Sequence, residues 1–101
     1  ISIESSLFIK YALDFSDKYF DHIKEHSKSG QKKLIDKIEI LLSEIEIAPK
    51  QGTGHPEPLL GYGVRDVWSR RIDGKHRLTY EILEDKKEVF IMAAYGHYND
   101  K

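Results

Sequence analysis

Leu34, Ile35, Ile38, Leu41, Leu42 and Ile45 recur at the spacing of an α-helix, with Lys33, Asp36, Lys37, Glu39 and Glu44 at the positions between. A helix patterned this way draws its stability from burying the apolar stripe, so the rest of the chain has to supply a matching surface. Pro49 ends the helix, because its ring excludes the helical conformation at Ala48 and it offers no amide donor. Upstream, residues 10–15 read as a short strand, and the Ser16 hydroxyl can cap a first helix that opens with Asp17. Tyr19, Phe20 and Ile23 are expected on one face of that helix, which Ser29-Gly30 breaks.

The apolar partner lies downstream. Residues 67–72, 75–83 and 88–94 are rich in β-branched and aromatic side chains and are separated by Asp73-Gly74 and by the charged residues 84–87, the pattern of an antiparallel meander. Asp73-Gly74 favours a two-residue hairpin turn, which would set Arg70 opposite Arg77 and Trp68 opposite Thr79. Alternation then puts those four on one face and Val67, Leu78, Tyr80 and Ile82 on the other, under the helices. Two arginines directly opposed cost stability unless an anion or solvent lies between them, so this face is a candidate phosphate site or, more simply, a solvated charged face.

With 101 residues there is room for one hydrophobic core. Residues 10–101 are expected to form a single domain, and residues 1–9 an N-terminal extension that could be an expression remnant, a processed end or an added strand. The absence of cysteine excludes disulfides, thiolate metal sites and thiol nucleophiles, and fits a reducing compartment. No apolar run is long enough for a bilayer span and no secretory pattern opens the chain, so a soluble cytoplasmic protein without a membrane partner is expected. The net charge of −1 hides a division: residues 1–49, 50–80 and 81–101 carry −2, +3 and −2. A basic middle section can draw a polyanion into a cleft whatever the total charge.

Residues 50–66 read as a loop punctuated by Gly52, Gly54, Pro56, Pro58, Gly61 and Gly63, long enough in so small a domain to suggest a task. Glu57 stands between two prolines, where neither helix nor sheet is expected to claim it; a carboxylate on so stiff a loop is a usable general base, although alone it could equally be an exposed turn residue. His97, followed by Tyr98, closes the last strand after Gly96. An imidazole is partly protonated at neutral pH and can donate to a leaving alkoxide, though a single terminal histidine is also an ordinary surface group. His22, His26, His55 and His76 show no metal-ligand spacing, and neither metal nor cofactor is expected.

Four blocks change the weight of these readings: Gly52-Thr53-Gly54-His55-Pro56-Glu57-Pro58-Leu59, Trp68-Ser69-Arg70-Arg71-Ile72, His76-Arg77-Leu78-Thr79-Tyr80 and His97-Tyr98. In order and nearly in spacing they resemble the YoeB toxins of the RelE/ParE superfamily, with the likeness strongest over residues 50–98. The resemblance implies an α+β, RelE-like (microbial RNase-like) fold with two N-terminal helices on an antiparallel sheet. It also implies a ribosome-dependent endoribonuclease that cleaves mRNA in the A site without metal. By the family's pattern Glu57 is the general base, Arg77 stabilises the phosphate, His97 is the general acid and Tyr98 supports it. Arg70, Arg71, His55 and Trp68 become candidate RNA contacts, with a cognate YefM/Phd-like antitoxin and a homodimer as implied partners. The chain departs from the pattern at His55 and Leu60, where basic residues are common, in a segment 60–67 one residue longer, and at Tyr95-Gly96, where Tyr95 could instead stack on a base. Two other readings compete: a non-catalytic ParE-like toxin that binds DNA gyrase, and an inactive scaffold or repressor partner whose charges are only surface.

Overall fold

The computed structural model describes residues 10–96. In chain order the elements are β1 (Ala12–Phe15), α1 (Asp17–Lys28), α2 (Lys32–Ile47), β2 (Glu57–Pro58), β3 (Val67–Arg71), β4 (Arg77–Leu83), a 3-10 turn (Glu84–Lys86) and β5 (Glu88–Ala93). The two helices pack on one five-stranded sheet of order β1-β5-β4-β3-β2, giving the α+β class. The expected meander β3-β4-β5 is antiparallel, but β1 pairs with β5 in parallel, so the sheet is mixed. That pairing follows from the connection: the chain returns to β1 only after both helices and the meander, and a long crossover of this kind joins parallel neighbours.

Local signals hold up well. The Ser16 hydroxyl accepts the Tyr19 amide at 2.9 Å and donates to the Met92 carbonyl at 2.7 Å, so the residue that starts α1 also ties it to β5. Leu34, Ile38, Leu41 and Ile45 of α2 are buried against Leu78, Tyr80, Ile82, Val89 and Ile91. Ala48 has left the helical region (φ −145°, ψ 83°), as the following Pro49 requires. On α1 the inward line runs from buried Tyr19 through partly buried Ile23 to buried His26, and Phe20 lies about 100° round the helix from Tyr19. Phe20 is therefore exposed, with its ring against those of Phe15 and Tyr19, rather than sharing the buried face. Among the described residues no helix is long and apolar enough to cross a membrane.

The expected hairpin register is wrong by one residue. Arg71, not Arg70, pairs with Arg77, and Arg70 pairs with Leu78. The cause is Asp73, whose carboxylate accepts the amides of Lys75 at 2.8 Å and His76 at 2.7 Å. This side-chain turn replaces the two-residue turn that would have needed positive φ at both Asp73 and Gly74, and neither adopts it. Because side chains alternate, a slip of one residue sends Arg70 and Trp68 to the helix side of the sheet, away from Arg77.

There Arg70 is completely buried (0% exposed) and uses all five of its N–H groups inside the protein. Nε donates to the Tyr80 hydroxyl at 3.0 Å, Nη1 to Glu44 at 2.9 Å and the Thr53 carbonyl at 3.3 Å, and Nη2 to the carbonyls of Ala48 at 2.8 Å and Gln51 at 2.6 Å. The Tyr80 hydroxyl in turn donates a hydrogen bond to the Pro49 carbonyl at 2.7 Å. Arg70 thus caps the end of α2 and gathers residues 48–53 onto the sheet, with no donor left for a phosphate. The amide and hydroxyl of Thr53 hold the Glu44 carboxyl below the usual glutamate range; burial opposes this and Arg70 reinforces it.

Arg70→Met should lower the free energy of unfolding by about 3–5 kcal/mol, since it strands a set of buried acceptors. Urea denaturation reads this directly, and a loss under about 1 kcal/mol would show that the network contributes little. Glu44, whose carboxyl is depressed in the folded state, contributes stability that is present above the unfolded glutamate pKa and lost as pH falls through the folded one. Glu44→Gln should accordingly flatten the stability profile in that acid window.

Candidate active site

The proline-flanked stretch is not outside the sheet, as its sequence suggested. Glu57 pairs with Ser69 and Pro58 with Trp68 as the short edge strand β2, bracketed by hydrogen bonds from the Arg71 amide to the Gly54 carbonyl (2.7 Å) and from the Leu59 amide to the Val67 carbonyl (2.8 Å). An edge strand tolerates proline, because the side with the missing N–H faces solvent. The turn into β2 requires glycine at position 54: φ is +88°, and a Cβ there would lie 2.7 Å from the Arg71 carbonyl oxygen. His55 follows with φ +52° and is exposed.

The pairing sets Glu57, Ser69, Arg71, Arg77 and Thr79 on the outer face of the sheet. Glu57 Oε2 lies 3.7 Å from Arg77 Nη1, and that nitrogen is 3.4 Å from the Ser69 hydroxyl, to which it donates. The Arg77 side chain is 9% exposed and that of Glu57 46%, so a nearly buried guanidinium sits beside a carboxylate that reaches solvent. Arg71 is exposed and directly opposite Arg77, the role expected of Arg70. Trp68, on the other face, packs against the core and donates its indole N–H to Asp66 at 2.7 Å, with Lys50 above the ring. The outer face therefore unites a potential proton acceptor, a guanidinium able to meet an oxyanion and a second cation. His97 and Tyr98 lie outside the described residues, as do residues 1–9; the last described residue, Gly96, accepts the Arg77 amide at 3.0 Å.

A second cluster was not anticipated. His22 and His26, one turn apart on α1, meet His76 around the ring of Tyr95. His22 Nδ1 accepts the Ala94 amide at 3.0 Å, His26 Nε2 bonds the Ala94 carbonyl at 2.8 Å, and His76 Nδ1 accepts the Gly96 amide at 2.8 Å. Burial pushes His22 and His76 below the ordinary histidine range. Burial also opposes the Asp73 carboxylate, but the amides of Lys75 and His76 outweigh it and hold that group low. The i, i+4 spacing of His22 and His26 was the available signal; His76 and Tyr95 join them only through the tertiary fold. Among the described residues no group of three His, Asp or Glu side chains is arranged to hold a metal ion.

Solved structures define the class first. The fold matches the YoeB/ParE toxin from Agrobacterium tumefaciens with TM-score 0.76 at 26% identity, over 86% of this chain and 99% of that one. It matches the YoeB of a Staphylococcus aureus dimer with TM-score 0.73 at 31% identity, over 87% and 98%; that toxin has also been solved as a YoeB–YefM complex. Toxin YoeB of Streptomyces coelicolor is 40% identical over 73 residues, 72% of this chain and 83% of that protein. The family model for the YoeB-like toxin of bacterial type II toxin-antitoxin systems matches residues 15–98. The chain belongs to that family of toxins.

Gly54→Ala tests the link between the turn and the site. The added methyl is strained by the backbone and blocked by Arg71, so stability should drop by more than about 1 kcal/mol. The Glu57 amide resonance should also shift; an unperturbed spectrum would show that β2 is set by other contacts.

Proposed function

We propose that this toxin is a ribosome-dependent endoribonuclease that cuts mRNA in the A site by acid–base transphosphorylation, without a metal. Glu57 takes the proton from a ribose 2′-hydroxyl, whose oxygen attacks the adjacent phosphorus and leaves a 2′,3′-cyclic phosphate. Arg77 stabilises the charge that develops on the phosphoryl oxygens, and Arg71, across the hairpin, holds the RNA backbone. His97 protonates the departing 5′-oxygen, and Tyr98 orients it. DNA, which lacks the attacking hydroxyl, is not cut. Carboxylates are intrinsically weak bases for an alcohol, and acid–base assistance is worth only about 10²–10⁴-fold. Positioning of the message by the ribosome supplies much of the remainder, so free RNA is a poor substrate.

The observation that carries this reading is the Glu57–Arg77 pair, 3.7 Å apart at a solvent-reaching strand edge with Arg71 opposite. Membership of the family supports it. The S. aureus complexes motivate the partners: a YefM/Phd-like antitoxin covering this face, and a homodimer. The site of action is the cytoplasm, where the ribosomes are.

Glu57→Gln, Arg77→Ala and His97→Ala should each slow single-turnover cleavage on programmed ribosomes at least about tenfold. If all three variants cut at the wild-type rate, the site is wrong. In cells, His97→Ala should relieve growth arrest; arrest that persists points to a toxin that acts by binding, such as a gyrase inhibitor, and no arrest from the wild type points to a scaffold.

A further inference from the structure

β5 ends at Ala93, and the sheet no longer satisfies the backbone polar groups of the residues that follow. Side chains take over. The Ala94 amide goes to His22 and its carbonyl to His26; the Gly96 amide goes to His76 and its carbonyl to the amide of Arg77. Between these ties the Tyr95 ring stacks on His26 (5.2 Å between centroids, 19° between planes) and packs against His76 at 4.7 Å and His22 at 5.4 Å. His26 is only 2% exposed. Three histidines are thus committed to a three-residue stretch that ends one position before His97.

We propose that His22, His26 and His76 are positioning residues for the cleavage reaction, which clasp residues 94–96 and so fix the segment that immediately precedes His97 in the chain. The inference rests on the reading of the chain as a ribonuclease whose acid is His97. One tautomer serves all three rings: a proton on Nε2 lets His26 donate to a carbonyl and leaves Nδ1 of His22 and His76 free to accept an amide. Protonating His22 or His76 would turn that acceptor into a donor facing another donor. A simple packing role would not need this chemistry, since apolar side chains could fill the same space without the hydrogen bonds. The fourth tie comes from Arg77 itself, so the clasp fixes the segment relative to the residue proposed to meet the phosphate.

The charges around the clasp bear on when it holds. From α1 it is faced by Lys18 and Asp21, from the β3–β4 turn by Asp73 and Lys75, and each imidazole faces the others. Burial, the two lysines and repulsion from the neighbouring rings favour the neutral form of His22 and His76, while Asp21 and Asp73 work the other way. The folded-state histidine pKa values are lowered, so the clasp is intact above the unfolded histidine value and is lost as pH falls through the folded values.

The test uses the full chain with His22 and His76 replaced singly by Ala and by Asn. Asparagine sets an amide oxygen near the place of Nδ1 and cannot be protonated there. Two quantities are read from about pH 5 to about pH 8: exchange protection of the Ala94 and Gly96 amides, and single-turnover cleavage on programmed ribosomes. The alanine variants should lose protection at the amide their histidine accepts and cleave about ten- to a hundredfold more slowly at saturating ribosome, with half-saturation little changed. The asparagine variants should regain the rate to within about twofold of wild type and move the acid limb of the pH profile to lower pH. If the alanine variants do not fold, the asparagine profiles decide, and an acid limb identical to wild type overturns the proposal. Alanine variants that cleave at the wild-type rate while His97→Ala is inactive overturn the clasp and leave the ribonuclease reading standing. A wild-type chain that does not cleave removes both.

Discussion

The buried guanidinium of Arg70 is the constraint around which the rest of the molecule is arranged. A charge taken wholly out of water costs several kcal/mol unless every donor is met with good geometry, so its position dictates where five acceptors must be. Those acceptors are spread over the end of α2, the loop that follows it, Glu44 and the Tyr80 hydroxyl on β4. Satisfying them pulls residues 48–53 onto the sheet and leaves residues 54–58 beside β3, close enough for β2 to form. A hydrophobic side chain at position 70 would fill the space, but it would not specify the path of that loop. The carboxylate of Glu57 is placed by a polar network on the opposite face of the sheet from itself.

This arrangement makes the Arg70-Arg71 pair in the sequence two residues of different kinds. One is locked inside and carries the architecture; its neighbour, turned outward by strand alternation, stands opposite Arg77 in the field of the candidate site. Which arginine is which depends on the hairpin register alone. The register depends in turn on Asp73, which takes two amides with its side chain and lengthens the turn. The same turn delivers His76 to the segment before His97, so a single side-chain decision sets both the basic face and one tie of the histidine clasp.

Much of the fold was legible because it rests on periodicity and local capping. The apolar stripe of α2, the stop at Pro49, the Ser16 cap and the three-strand meander each needed only near neighbours in sequence. The register was not legible, since Asp-Gly suits a two-residue turn and a side-chain turn equally, and only the folded chain, with Asp73 accepting the amides of Lys75 and His76, shows which forms. Glu57 was legible as a rigid carboxylate but not as a strand residue, because an edge strand requires only alternate backbone bonds and proline can occupy the remaining places. Of the grouping of His22, His26, His76 and Tyr95 only the i, i+4 spacing of the first two was readable; the rest is made by the parallel return of β5 to β1 and the packing of α1 over its end. His97 was read as a candidate proton donor from its chemistry, while the pairing of its role with Tyr98 rested on the resemblance, and both lie outside the described residues.

Glu57 and Arg77 also constrain one another before any substrate arrives. A guanidinium so little exposed needs negative charge or hydrogen-bond acceptors nearby, and Glu57 and Ser69 both contribute, at distances that are loose for either bond. A phosphodiester entering this face would offer Arg77 two oxygens in the planar geometry a guanidinium prefers, a stronger partner than a carboxylate 3.7 Å away. A tight, bidentate Glu57–Arg77 bridge would engage both carboxylate oxygens; at 3.7 Å, with the Glu57 side chain 46% exposed, the carboxylate keeps a face toward solvent, where the proposed reaction would need it.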